Sequence, residues 1–115
     1  MSIVVWGIPT CGTVKKARSA LAAAGLAFVD RDLRTSPPSA TDIDRFLAAV
    51  GAKALRNTSG ASYRALPEEK DAWTETQWRA AFLGDPMLLK RPILEKNGTV
   101  VGVGFRDEAV LAKLR

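Results

Sequence analysis

Apolar positions in this chain alternate between two spacings. Ile3 to Trp6 form a short, β-branched apolar run ending in Gly7 and Pro9, the pattern of a buried strand. From Gly12 to Ala24 the apolar Val14, Ala17, Leu21 and Ala24 recur at helical spacing, and Gly25 supplies a stop. Leu26 to Leu33 again read as a strand. In the loop that follows, Ser39 and Asp42 stand at capping-box spacing. Ile43, Phe46, Leu47 and Val50 then make one helical face, which Gly51 is expected to end. Strand, helix, strand, helix in this order predicts a parallel pair with a right-handed crossover.

Residues from about 52 to 86 read as helical pieces around the polar loop RNTSGAS. The clearest helix there starts at Thr74, where Thr74 and Gln77 match a capping box and Trp73 and Trp78 occupy the hydrophobic-staple positions. Gly84 and Pro86 end it. Beyond LLKRP, two apolar segments are joined by Asn97-Gly98, a strong hairpin signal. A last helix is expected from Asp107 to Arg115, acidic at its start and basic at its end, as the helix dipole favours.

A chain of 115 residues with 47% hydrophobic and 25% charged positions suits one domain with an ordinary core. No window approaches the roughly 20 apolar residues of a membrane span. The N-terminal MSIVVWG lacks the basic leader of a secretory signal, and a lone cysteine closes no internal disulfide. The expectation is therefore a cytoplasmic protein away from membranes. The net charge of +5 includes no basic run longer than two residues and no basic-aromatic interleaving, so direct binding to nucleic acid is not expected. With no long apolar edge and no heptad repeat, a monomer is expected.

Histidine is absent, which removes Cys-His nucleophile pairs and the usual zinc ligand sets. What remains is Cys11, in GIPTCGTVKKAR, at the turn from the first strand to the first helix. A helix start presents unpaired amides, here those of Gly12, Thr13 and Val14, and partial positive charge. Both favour a thiolate over a thiol and also suit an oxyanion held beside the sulfur. Lys15 and Lys16 add positive charge, and the Thr13 hydroxyl can donate to sulfur. The alternative is a small buried hydrophobe, the usual fate of a free cysteine. Its neighbours, turn and cap residues rather than members of an apolar stripe, favour a reactive thiol.

The order β-α-β-α, helical insert, β-β-α is thioredoxin-like. WGIPTCGTVKKAR, ALRNTSGASYRAL, LLKRPIL and VGF, in that order and spacing, closely resemble the arsenate reductase (ArsC) family, in particular its YffB-like branch, with the regulator Spx more distant. The resemblance spans nearly the whole chain. It implies an α/β thioredoxin-like fold, a mixed four-stranded sheet flanked by helices, as one domain over residues 1–115 with a helical insert at about 52–86. It also implies thiol chemistry with glutathione as co-substrate, no tightly bound cofactor, a small disulfide or oxyanion as substrate, and glutaredoxin as a candidate partner. Carried over, Cys11 matches the catalytic cysteine and Arg91 an anion-binding arginine beside a cis-proline, Pro92.

The departures from the family pattern are specific. Two further arginines of the arsenate clamp fall on Asn57 and Phe105, and Gly7 stands where the family has a histidine. Arg56 and Arg106 are adjacent substitutes, but on a strand a neighbour faces the opposite way. Asn57, Thr58 and Ser59 either line the substrate cleft or form a turn. Val14 occupies the second position of a CxxC pair, so the expected chemistry is monothiol exchange with an external thiol. Two other readings stay open. One is a non-enzymatic Spx-like binding protein that contacts RNA polymerase; the other is an arsenate reductase in the strict sense.

Overall fold

The computed structural model describes residues 2–115. Strand β1 (Ile3–Gly7) leads into helix α1 (Gly12–Ala23), strand β2 (Val29–Asp32) and helix α2 (Ala40–Leu55). A short helix α3 (Ala61–Arg64) and a longer α4 (Glu75–Gly84) follow, then the hairpin of β3 (Ile93–Lys96) and β4 (Thr99–Val103), and a terminal turn α5 (Leu111–Leu114). The sheet order is β2-β1-β3-β4, with β1 parallel to β2 and antiparallel to β3, and β3 antiparallel to β4. This is the mixed four-stranded α/β sheet of the thioredoxin-like order.

Alternation along β1 explains why the sheet is covered on both faces. Ile3 and Val5 join Val14, Leu21, Leu94, Leu111 and Leu114 on the side of α1 and α5. Trp6 points the other way and joins Ile43, Phe46, Leu55, Trp78, Phe82 and Ile93 on the side of α2 and α4. A strand buried on both faces needs the continuous apolar run seen at Ile3–Trp6.

Local signals place most elements. The Ser39–Asp42 box closes in both directions, as does the Thr74–Gln77 box, and Trp73 meets Trp78 edge-on at 5.0 Å between ring centroids. Asn97 and Gly98 both take positive φ, 53° and 80°, as a two-residue hairpin turn that follows the strand twist requires.

Three expectations need correction. Gly51 does not end α2: it takes φ 79°, ψ 164° as a kink, and the helix resumes to Leu55. The Ala52 amide freed at the break donates to Glu75 Oε1 at 3.1 Å, so a side chain from α4 supplies the acceptor that the interrupted helix lacks. β2 is four residues rather than the predicted eight, because it pairs only with β1 at the sheet edge. The last helix is a 3-10 turn (Glu108–Val110) followed by one α-turn, started by Asp107, whose carboxylate accepts from the Ala109 amide at 2.8 Å.

Candidate functional site

A cleft of about 810 Å³ opens at the end of the sheet where β1 stops, β3 begins and β4 leaves. Four segments line it: Cys11 and Thr13 at the start of α1, Asn57, Ser59 and Gly60 before α3, Lys90 and Arg91 before β3, and residues from Val101 to Lys113. Parallel pairing of β1 with β2 sends the chain into α1 at this end, which is why the helix start and its free amides face the cleft.

Cys11 is the N-cap of α1 and half-buried. Its side chain closes no cap hydrogen bond, so the attraction of the nearby donors is felt chiefly by the thiolate. Partial burial is the largest single influence and pushes the thiol up. It is outweighed by the backbone amides of Val14 and Thr13 and by the hydrogen bond and charge of Arg91, which together hold Cys11 below the ordinary thiol value. The Gly12 amide, expected beside them, is not one of these donors.

Arg91 is itself held in place. Its Nη1 donates to the carbonyls of Met87 (3.2 Å) and Leu89 (3.4 Å), which fixes a long side chain near the sulfur. The Arg91-Pro92 bond is cis, Pro92 is buried, and its carbonyl accepts from the Gly104 amide at 2.7 Å. That bond ties the Arg91 loop to the end of β4.

Of the remaining candidates, Asn57 and Ser59 line the cleft while Thr58 does not. Ser59 Oγ donates to Asn57 Oδ1 at 3.2 Å, so both the cleft and the turn readings describe this loop. A Cβ on Gly60 would stand 2.9 Å from Asn57 Nδ2, and glycine there lets the Asn57 amide lie against the backbone. Val14 buries its side chain in the core and lends only its amide. Lys15 and Lys16 sit outside the main cleft, along a shallower depression that includes Phe105 and Glu108.

The two substitute arginines part company. Arg56 turns away and stacks on the Trp78 ring, 4.5 Å from its centroid. Arg106 lines the cleft, contrary to the opposite-face expectation, because β4 has already ended at Val103 and Gly104 takes φ 79°, so strand alternation no longer applies. Phe105 lines the cleft as well. Gly7 has a packing reason: a Cβ there would lie 2.6 Å from Val14 Cγ2, so β1 and α1 approach too closely for any side chain.

Sequence reasoning missed Lys90, Lys113, Val101 and Val110 as cleft residues. Lys90 carried a signal in its adjacency to Arg91. Lys113 carried none, since only the packing of α5 beside β4 brings it there. Among the described residues, no group of three or more Cys, Asp and Glu is placed to hold a metal ion, and no helix is long and apolar enough to cross a membrane.

Comparison with known proteins places these features in a family context. The ArsC family profile matches residues 6–113. The chain is 31% identical to the uncharacterized protein YusI of Bacillus subtilis, over 94% of each chain. Among solved structures it is similar to a YffB protein, with TM-score 0.89, 31% identity and coverage of 99% of this chain and 100% of the other. A possible arsenate reductase from Streptococcus mutans gives TM-score 0.85 at 29% identity, covering 96% and 97% of the two chains. An ArsC-related protein from Brucella melitensis gives 0.79 at 34%, covering 97% and 93%.

Proposed function

Because the chain belongs to the ArsC family, a family with arsenate reductase-like structural neighbours, we propose that it is a monothiol reductase acting through Cys11, with glutathione as the external thiol. The Cys11 thiolate attacks one sulfur of a disulfide. A new bond joins Cys11 to that sulfur, the substrate S–S bond breaks, and the departing thiolate takes a proton from water. Glutathione thiolate then attacks the mixed disulfide and releases Cys11 as thiolate, so the two electrons come from thiols outside the chain. Glutaredoxin is a candidate to reduce the glutathione adduct.

The observation that carries this reading is the placement of Cys11 at a helix start with Arg91 beside it, in one cleft. The amides and the guanidinium favour the attacking thiolate and hold a substrate carboxylate or oxyanion against it. Val14 at the fourth position of the motif supports an external resolving thiol. Cleft volume favours an organic disulfide over a bare oxyanion, since 810 Å³ lies within the range of roughly 300–1,000 Å³ typical of sites for larger small molecules. Arg106 in the cleft is the observation that keeps arsenate as the second substrate reading.

The test is glutathione-coupled reduction of a small disulfide and of arsenate by wild type, Cys11→Ser and Arg91→Ala. Disulfide reduction should vanish in Cys11→Ser and fall roughly ten- to hundredfold in Arg91→Ala. Activity indifferent to Cys11 overturns the proposal in favour of a binding protein. Arsenate turnover lost in both variants identifies an arsenate reductase instead.

A further inference from the structure

The cleft is longer than the chemistry at Cys11 uses, and its far part is cationic. Four cations line it, Lys90, Arg91, Arg106 and Lys113, and of these Arg91 alone acts on the Cys11 sulfur. Lys113 comes from α5, and between it and the Cys11 end the wall is apolar: Val101, Val103, Phe105 and Val110. Two residues of strand, from Val103 back to Val101, already span roughly 7 Å, more than a tetrahedral oxyanion beside the sulfur would occupy. Among the described residues, Lys90, Arg106 and Lys113 enter no ion pair. The acidic residue lining the cleft, Asp107, is engaged in accepting from the Ala109 amide. Lys90 is held near the others because its stem lies on Gly104, where a Cβ would meet Lys90 Cε at 3.3 Å.

We propose that Arg106 and Lys113, with Lys90 beside them, form a second anion subsite that takes a carboxylate carried several bonds from the sulfur of the ligand. The preferred substrate is then a disulfide with charge at both ends: one carboxylate near the sulfur at Arg91, and one remote, with an apolar connecting chain along Val101 and Val110. This rests on the reductase reading for its substrate class, while the subsite itself rests on the cations and the shape of the cleft. Its attraction is salt-sensitive, because Arg106 and Lys113 are exposed.

The experiment measures mixed-disulfide formation on reduced full-length protein by mass spectrometry, in a single turnover. Three disulfides are compared: 4,4'-dithiodibutyrate, neutral bis(2-hydroxyethyl) disulfide and cationic cystamine. Wild type should react fastest with the dianion, and its rate relative to the neutral reagent should fall at least fivefold in Arg106→Gln/Lys113→Gln. The charge-matched control Arg34→Gln/Lys53→Gln, outside the cleft, should keep the wild-type ratio. An unchanged ratio in the cleft variant overturns the subsite. If Cys11 attacks none of the three, the reductase reading fails, and the subsite is then judged by calorimetric binding of S-methylglutathione, which cannot exchange. Binding to wild type that is lost in the cleft variant upholds it; no binding, or equal binding in both, overturns it.

Discussion

Cys11 and Arg91 carry the most specific consequence at the scale of single residues. Since donors from α1 and the Arg91 guanidinium outweigh the penalty of partial burial, alkylation of Cys11 by iodoacetamide should titrate with a midpoint below the free-thiol value of about 8.5. Arg91→Ala should move that midpoint up, because it removes a hydrogen bond and a charge that favour the thiolate. The same linkage affects stability. A thiol whose value is depressed on folding contributes stability that is complete above the unfolded value and lost as pH falls through the folded one. Reduced protein should therefore gain resistance to urea as pH rises between those two points, and Cys11→Ser should lose that part of the slope. The thiol and its helix start were legible in the sequence because both are local. The Met87 and Leu89 carbonyls that hold Arg91 were not, because a loop conformation decides them.

Among the elements, helix α2 shows where local reading succeeds and where it stops. Its start was legible: Ser39 and Asp42 satisfy each other's backbone groups within four residues, without help from the rest of the fold. Its end was not. Gly51 leaves the helical region, as its composition suggested, but the Glu75 carboxylate from α4 receives the freed Ala52 amide and the helix continues. The backbone at Gly51, φ 79° and ψ 164°, belongs to a region essentially reserved for glycine, with a cost of order 1–3 kcal/mol for other residues. Gly51→Ala should lower unfolding stability by about that amount in urea denaturation, although a Cβ there meets nothing closer than Glu75 Oε1 at 3.5 Å. A loss well below about 1 kcal/mol would mean that the kink does not depend on glycine.

Across the whole molecule, β3 joins the two cores, and its buried Glu95 ties three elements together. Glu95 accepts from Trp6 Nε1 on β1 at 2.6 Å and from Arg45 on α2 at 3.0 and 3.1 Å, and Arg45 also pairs with Asp42 at 2.9 Å. Removing one member of a buried ion pair typically costs ~3–5 kcal/mol. Arg45 remains 36% exposed and keeps Asp42, so Glu95→Ala should fall near the low end, about 3 kcal/mol, in chemical denaturation. The cleft lies where the strand ends converge, away from this network, and its shape depends on the same packing of β4 between α2 and the terminal turn.

The sequence by itself determined the order of elements, both capping boxes, the Asn97-Gly98 turn, the two-faced burial of β1 and the reactive position of Cys11. Each follows from interactions within a few residues or from a hydrophobic period, and these are written directly in the chain. Only the tertiary structure decided that α2 continues past Gly51, that Arg56 serves Trp78 while Arg106 serves the cleft, and that Lys113 joins Arg91 in one cavity. Those outcomes depend on which distant groups arrive to accept a hydrogen bond, occupy a face or leave a charge unpaired, and no local pattern specifies an arrival.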